Sequence, residues 1–214
     1  METTESRTTS PALIPPSLRW LVLGVAGGCA LVVVILGLAY GRTSTPSAFD
    51  SAVQAWLQEQ VPDNHVLMWF AAGLAGPRVL LAAVAIVASA AYLCRRWSLL
   101  LLAVLGPGAA MLVTQLLKPL IGRTISGAWA MPSGHTTALV ALLTVAALTW
   151  INRRGALSTI TDALVLCGLV VALTAMLVAL VRQQWHYATD IIAGGCVAFA
   201  AVACVAVALD CLSG

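Results

Sequence analysis

The sequence predicts an all-α fold: a polytopic membrane protein with six transmembrane helices in one bundle and a site at its outer face. The first observation is composition, because 61% of the 214 residues are hydrophobic and 9% are charged, whereas about a quarter of the residues in soluble domains are charged. The second observation is a set of six long apolar runs. The third is that two of the three histidines stand in short polar stretches beside such runs, where ionisable side chains are costly and indicate function.

The six runs are judged by length, since a helix that crosses a bilayer needs about 20 apolar residues. The first run is too long for the apolar region of a signal peptide and lacks a convincing small-x-small cleavage site, so it is interpreted as a retained helix. The fourth run is short, and its helix is expected to begin further back, within a Pro-Ser-Gly turn. The runs cover residues 20–40, 78–94, 98–117, 136–151, 161–181 and 188–209.

The segments outside the runs complete the predicted organisation. Residues 1–17 are rich in Thr, Ser and Pro and are expected to form a disordered cytoplasmic N-terminus. Residues 18–214 then form one membrane domain, in which 41–76 is an outer connection with interfacial helices. Gly24 and Gly28 form a GxxxG pattern, which weakly indicates close helix packing or a homodimer.

Arginine pairs predict the orientation. Arg95-Arg96 and Arg153-Arg154 stand in short loops after the second and fourth runs, and the positive-inside rule places such loops in the cytoplasm. Arg19, before the first run, agrees. Six spans then put both termini in the cytoplasm, with the protein in the plasma (inner) membrane. Five basic residues fall on the outer side, and three of them flank the histidines, where a site explains them better than topology does; these three are Lys118, Arg123 and Arg182.

The polar residues of chemical interest converge on this outer, or periplasmic, face. They come from three separate stretches of the chain, and their convergence is stronger evidence than any single motif. Lys118 and Arg123 follow the third run, Ser133, Gly134 and His135 precede the fourth, and Arg182, His186 and Asp190 lie between the fifth and the sixth.

These residue types suit a lipid phosphate. Cations at a membrane surface favour an anionic head group, and Ser133 can cap a helix N-terminus whose free amides bind anions. Asp190, four residues after His186, can hold one imidazole tautomer, as a nucleophile or base requires. His135 is then available to protonate a leaving oxygen. This chemistry needs no metal and no other cofactor, and the six cysteines are expected to be small core residues.

The pattern resembles the type 2 phosphatidic acid phosphatases, the PAP2 lipid phosphatase superfamily, over about residues 49–210. That family has six spans, an outer-face site and the motifs Lys-x6-Arg-Pro, Pro-Ser-Gly-His and Ser-Arg-x5-His-x3-Asp. The second motif is intact here, as is the His-x3-Asp half of the third. The resemblance implies that His186 is the nucleophile, Asp190 its orienting carboxylate and His135 the general acid. It also implies phosphate ligands, namely Lys118, Ser133 and the Gly134 amide.

Two family arginines are missing from their motif positions. The motif positions for Arg-Pro and Ser-Arg hold Ile125, Ser126, Ala179 and Leu180. Arg123 comes two residues early and Arg182 two residues late. On a regular helix, a shift of two positions rotates the side-chain direction by about 200°. Each arginine can therefore replace the missing phosphate ligand only where the backbone departs from a regular helix. The sequence therefore predicts a retained nucleophile and a rebuilt or weakened phosphate clamp.

The expected function is enzymatic: a metal-independent phosphatase that acts on a membrane lipid phosphate or diphosphate through a phosphohistidine. Candidate substrates are a polyprenyl diphosphate, a polyprenyl-phosphoryl sugar phosphate, phosphatidylglycerol phosphate and phosphatidic acid. Two alternatives stay open. Ile125 and Leu180 motivate a non-catalytic lipid-phosphate-binding protein (a pseudo-enzyme), and capture of the phosphohistidine by an acceptor other than water would give a lipid-phosphate transferase. The expected partners are the substrate and the bilayer, and no basic run is long enough for nucleic acid.

Overall fold

The computed structural model describes residues 12–62, 64–73, 76–151 and 160–213, and these are mostly helical. A 3-10 turn, Pro16–Leu18, precedes the first helix, and a short antiparallel hairpin of β1 (Thr124–Ile125) and β2 (Ala128–Trp129) joins the fifth helix to the sixth. The helices are α1 (Arg19–Tyr40), α2 (Ala48–Gln60), α3 (His65–Gly73), α4 (Pro77–Leu93), α5 (Trp97–Ile121), α6 (Gly134–Ile151), α7 (Ile160–Arg182) and α8 (Ala188–Ser213).

The helices correspond to the predicted runs. The six runs became α1 and α4 to α8, while α2 and α3 occupy the connection that was expected to hold interfacial helices. Among the described residues, three segments are long and apolar enough to cross a membrane, namely Pro16–Tyr40, Trp97–Ile121 and Ala188–Leu212. Shorter apolar segments are Arg78–Leu93, Gly134–Thr149 and Val170–Arg182. The helical membrane class is therefore confirmed, and the number of six crossings stays a prediction.

Helix α8 is the centre of the bundle and packs against α1, α5 and α6. Small side chains dominate the buried contacts, as at Ala110, Ala141 and Ala198. Small residues let helix backbones approach closely, which is how helices associate where lipid removes the hydrophobic drive between them. Gly106 of α5 shows how close the approach is, since a Cβ added there would lie 3.4 Å from a methyl group of Val202.

A second buried cluster attaches the outer connection to the bundle. Met68 and Ala72 of α3 pack on Met176, Ala179 and Leu180 of α7. This contact places α3 beside the C-terminal half of α7. The outer connection therefore packs against the bundle, at the end where α7 terminates.

The alternating direction of the helices brings the predicted site segments together. Helices α5 and α7 end, and α6 and α8 begin, at the same end of the bundle. Arg95 and Arg96 precede α5 at the opposite end, about 37 Å away along a helix of 25 residues. Arg153 and Arg154 lie outside the described residues. The separation of Arg95 and Arg96 from the site agrees with the predicted orientation, which stays a prediction.

The N-terminal segment is more ordered than its composition suggested. The amides of Leu13 and Ile14 donate to the Asp210 carboxylate at 2.6 and 2.9 Å, and Arg19 lies 3.6 Å from it. Both apolar side chains are buried. The expectation of disorder therefore does not extend to residues 12–17, because Asp210 near the end of α8 binds their backbone. Residues 1–11 lie outside the described residues.

Two smaller expectations concern cysteines and glycines. All six cysteines are free, and four are exposed, so the expectation of core positions is wrong for these four; they are Cys94, Cys167, Cys204 and Cys211. Cysteine is small and apolar, so it is compatible with an outward-facing apolar surface as well as with a core. A Cβ added at Gly24 or Gly28 would meet nothing within 4 Å, so this face of α1 is open in the described chain. The homodimer stays a prediction.

Candidate active site

A two-residue turn joins β1 to β2 and brings the chain back from the end of α5 to the start of α6. Ser126 and Gly127 occupy it with φ angles of 48° and 83°. Positive φ at both central residues is typical of a type I′ hairpin turn. Thr124 pairs with Trp129 across the hairpin. The sequence analysis missed these strands, although the Ser-Gly dipeptide was a usable turn signal.

Lys118 lies half-buried in the last turn of α5. Gly122 ends this helix with a φ of 69°, and its amide donates to the Lys118 carbonyl at 2.8 Å. A left-handed residue at this position is the usual way to close a helix, and glycine adopts it without strain. The Lys118 ammonium donates to the Trp129 carbonyl at 3.2 Å. Its charge acts on both Asp190 and His135, so this lysine borders the predicted site.

Ser133 caps the N-terminus of α6. Its buried hydroxyl accepts the Thr136 amide at 3.4 Å and the Thr136 hydroxyl at 3.1 Å. The Ser133 amide donates to the backbone carbonyl of Asp190 at 3.0 Å. Gly134 is the first residue of α6, so its amide is one of those that a helix leaves without an intrahelical acceptor. The start of α6 is thereby attached to the start of α8, with free amides beside it.

Gly194 allows this attachment. A Cβ added there would lie 2.5 Å from the Ser133 carbonyl oxygen and 3.2 Å from the Cβ of Thr136. The hydroxyl of Thr137 lies 2.9 Å from the same carbonyl oxygen and 3.2 Å from that of Gly194. The sequence analysis did not single out Gly194, since a glycine within an apolar run is also an ordinary packing residue.

The C-terminus of α7 positions His186. The Trp185 amide donates to the Leu180 carbonyl at 3.0 Å, and the Gln184 amide donates to the Val181 carbonyl at 3.0 Å. Gln184 has a φ of 58°, so the turn is a Schellman motif whose left-handed residue is not glycine. The His186 amide also donates to the Leu180 carbonyl, at 3.2 Å. The histidine is therefore held directly after the helix end.

The two motif histidines face each other. Their ring centroids are 6.0 Å apart, with His186 buried and His135 half-buried. The ring centroids of Trp185 and His135 are 6.2 Å apart. The exposed Trp69 of α3 makes an edge-to-face contact with Trp185, with 5.0 Å between the ring centroids. Aromatic rings therefore extend from the outer connection to the histidines.

Asp190 lies beside His186 without yet accepting a hydrogen bond from it. The distance from Nδ1 of His186 to Oδ2 of Asp190 is 3.8 Å, and this Nδ1 has no partner among the described residues. The same Oδ2 accepts the Tyr187 amide at 2.9 Å. The predicted pair is adjacent, but its hydrogen bond would need a shift of about 1 Å.

Arg123 is fully buried behind this pair. Its Nη1 is hydrogen-bonded to Thr189 and, at 2.9 Å, to Oδ1 of Asp190, while its Nη2 donates to Oδ2 of Asp50 at 2.8 Å. The guanidinium also lies between two rings, 4.9 Å from that of Tyr40 and 4.4 Å from that of Tyr187. Burial raises the pKa of the Tyr187 phenol. This placement differs from the expected one, because both carboxylates and both rings enclose the arginine that was predicted to bind phosphate.

Asp50 is a further site residue that no sequence motif predicted. It forms a capping box with Ser47 at the start of α2 and accepts the Thr189 amide at 2.9 Å. Burial raises the pKa of this carboxyl, but hydrogen bonds from Arg123, Thr189 and Ser47 outweigh burial and hold the pKa below its usual value of 3.8. The available signal was the Ser-x-x-Asp capping pattern, which predicts a helix start and no distant partner.

Among known proteins, a solved structure resembles this chain in fold. No protein-family model matches the chain, and no curated protein matches it. A crystal structure of a transmembrane PAP2-type phosphatidylglycerolphosphate phosphatase from Bacillus subtilis matches it with a TM-score of 0.66 and 21% identity, over 84% of this chain and 93% of that one. The chain has the PAP2 phosphatase fold. At 21% identity, this likeness establishes the fold alone.

Within the PAP2 fold, the positions that lack the family arginines have specific environments. Ile125 is half-buried in β1. Leu180 is fully buried in the cluster between α3 and α7. Arg182, the last residue of α7, is half-buried and its Nε donates to the Val61 carbonyl at 3.4 Å. It therefore lies against the connection between α2 and α3.

The structure gathers most of the predicted residues at one end of the PAP2 fold. Lys118, Ser133, Gly134, His135, His186 and Asp190 lie around the starts of α6 and α8. Arg123 is paired with Asp50 and Asp190, whereas Arg182 lies at the connection between α2 and α3, where its Nε donates to the Val61 carbonyl. In the part of the chain that the structure describes, no three His, Cys, Asp or Glu side chains are arranged to hold a metal ion.

Proposed function

We propose that this protein is a divergent PAP2 enzyme that hydrolyses a membrane lipid phosphate or diphosphate through a phosphohistidine, without a metal. The observation that carries the proposal is the pair of facing histidines, whose ring centroids are 6.0 Å apart; His135 lies in the first turn of α6 and His186 lies just before α8. One of them has a buried aspartate behind it, as a histidine nucleophile requires. The substrate classes are those expected from the sequence: polyprenyl diphosphates, polyprenyl-phosphoryl sugar phosphates, phosphatidylglycerol phosphate and phosphatidic acid.

The proposed reaction has two steps, phosphoryl transfer to His186 and hydrolysis of the phosphohistidine. In the first, Nε2 of His186 forms a bond to phosphorus while the bond from phosphorus to the lipid oxygen breaks, and protonated His135 gives its proton to that oxygen. In the second, water attacks the phosphorus and gives a proton to His135, the P–N bond breaks, and inorganic phosphate leaves. Asp190 accepts the Nδ1 proton of His186 in a hydrogen bond. Such bonds are often long before substrate binds and shorten in the reacting complex.

The phosphate ligands in this proposal are the free amides at the start of α6, including that of Gly134, together with Ser133 and Lys118. A helix N-terminus offers backbone donors and a favourable dipole to an anion. Lys118 adds a charge at the rim, where it also acts on His135. We assign Arg123 to the support of Asp190, and we assign Arg182, at the connection between α2 and α3, to contact with the lipid head group.

The membrane location and orientation of the site are also part of the proposal. We place the site at the outer face of the plasma (inner) membrane, with six crossings and both termini in the cytoplasm. Arg95 and Arg96 at the opposite end of α5 support this orientation.

The test is phosphate release by the purified protein in detergent, with EDTA present, from a panel of the four substrate classes. We expect release by the wild type and its loss in His186→Ala. The matched control is His65→Ala, which removes the histidine outside the motifs and should leave release unchanged. Rapid quenching with a substrate labelled in the transferred phosphate should trap an acid-labile, base-stable phosphoprotein in wild type. Full activity of His186→Ala on every cleaved substrate would disprove the mechanism.

A second candidate is a non-catalytic protein that binds lipid phosphate. Two observations favour it: Leu180 is a fully buried core residue at a family arginine position, and the His186–Asp190 distance is 3.8 Å. It predicts saturable binding of a lipid phosphate without release. A transferase would instead move the phosphoryl group from the trapped phosphohistidine to an added lipid alcohol.

A further inference from the structure

Three charged side chains form a buried row across the site. Asp50, Arg123 and Asp190 each have a side chain that is 0% exposed, and the guanidinium lies between the carboxylates at 2.8 and 2.9 Å. They come from three separate elements, namely the start of α2, the residue before β1 and the first turn of α8. A residue from the outer connection is thereby linked through Arg123 to the aspartate beside His186.

The charge of this row matters for His186. Two carboxylates and one guanidinium carry one net negative charge, and Oδ2 of Asp190 lies 3.8 Å from the imidazole. With a single carboxylate, the guanidinium would neutralise Asp190, and the row would carry no net charge to stabilise the positive charge that the imidazole gains when its Nε2 bonds to phosphorus. Asp50 supplies the second carboxylate, so the row stays anionic.

Asp50 is held firmly enough to perform this task. Its Oδ2 accepts the Ser47 amide at 3.1 Å and the Ser47 hydroxyl at 2.9 Å, while its Oδ1 accepts the Thr189 amide at 2.9 Å. Thr189 immediately precedes Asp190. The carboxylate therefore contacts both the guanidinium and the backbone that carries the catalytic aspartate, which is more than a helix cap requires.

We propose that Asp50 is a positioning residue of this site, which shares Arg123 with Asp190 and so leaves Asp190 free to orient His186. The inference rests on the proposed phosphatase function. Helix α2, which lies outside the three family motifs, then contributes a residue to the site. Asp50 acts through Arg123 and Asp190, and it touches no substrate.

The experiment measures kcat and KM for lipid phosphate release as a function of pH, with wild type, Asp50→Asn, Asp50→Glu and Ser47→Ala. The matched control is Glu59→Gln, which removes an exposed carboxylate from the same helix. Ser47→Ala is the control for structure, because it weakens the start of α2 and keeps the charge of Asp50. The groups around the imidazole that bear on the profile are Asp190, His135, Lys118, Arg123, Tyr187 and Asp50.

For Asp50→Asn we expect kcat to fall about tenfold or more while KM stays within about threefold, because the residue supports the reacting histidine without binding substrate. The low-pH limb of kcat/KM should move to lower pH, because the variant removes one negative charge from the row beside His186. Ser47→Ala and Glu59→Gln should leave that limb in place. Asp50→Glu should also leave it in place and lower kcat, because the charge is kept and Arg123 is displaced.

The results separate this inference from the proposed function. If the wild type releases no phosphate, the proposed function fails. If the wild type is active and Asp50→Asn keeps its kcat and its low-pH limb, the inference on Asp50 alone is overturned. Should Asp50→Asn not fold, Asp50→Glu decides the question, and a wild-type kcat in that variant would overturn the inference.

Discussion

The carbonyl oxygen of Ser133 fills the space in which a side chain of Gly194 would begin, 2.5 Å from the Cβ position. This contact joins the turn before α6, which we propose binds phosphate, to the helix that carries Asp190. Any side chain at 194 must push the turn away from α8. The geometry of the candidate site therefore depends on a residue outside all three family motifs.

Gly194→Ala should destabilise the protein by about 1 to 3 kcal/mol, the usual cost of overpacking a tight contact. Thermal unfolding in detergent, followed by tryptophan fluorescence, measures the change. The matched control is Gly195→Ala, where an added Cβ meets nothing within 4 Å. An equal loss of stability in the two variants would show that the contact with Ser133 is not the cause.

The turn after α7 gives a prediction of opposite sign. Gln184 has a φ of 58°, a conformation that glycine adopts without strain and other residues adopt at a cost. Gln184→Gly should therefore raise the free energy of unfolding by about 0.5 to 1 kcal/mol. Gln183→Gly, one residue earlier, should lower it, because Gln183 is not among the residues with positive φ in the described chain. Chemical unfolding of both variants tests this, and stabilisation by both would contradict the assignment of strain to Gln184.

The apolar runs predicted the helices well because membrane insertion depends on the length and composition of a local segment. The histidine motifs were equally local: His186 and Asp190 lie four residues apart, and His135 follows a helix cap within three residues. Such patterns need no knowledge of distant contacts. Their placement at one end of the bundle then followed from alternating helix direction.

The role of Arg123 could not be obtained in this way. Its partner Asp50 lies 73 residues earlier in the chain, and no local pattern joins them. A buried arginine must be paired with an acceptor. The sequence predicted a substrate phosphate as that acceptor, and nothing in it pointed to the carboxylate of Asp50. Asp210 is a similar case, since its hydrogen bonds reach Leu13 and Ile14 at the other end of the chain.

Restoring the family arginines should give two different outcomes. Leu180 is fully buried between α3 and α7, so Leu180→Arg should destabilise the protein by about 3 to 5 kcal/mol, the effect of an uncompensated buried charge. Ile125 is half-buried in a two-residue strand, and Ile125→Arg should change stability by less than about 1 kcal/mol. Folded yield and thermal unfolding compare the two. Similar stability of both variants would show that the core around Leu180 accommodates the charge.

The ion pair of Asp50 predicts sensitivity to acid. The pKa of this carboxyl lies below its usual value of 3.8, so its contribution to stability is complete above about pH 4 and is lost as the pH falls through the lowered value. The unfolding temperature of wild type should therefore drop by more than that of Asp50→Asn, which is already less stable at pH 7, as the pH falls below about 4. Glu59→Gln, on the same helix, should retain the wild-type slope. Parallel slopes for wild type and Asp50→Asn would mean that other carboxylates govern acid unfolding, and that the bond between Asp50 and Arg123 contributes little to it.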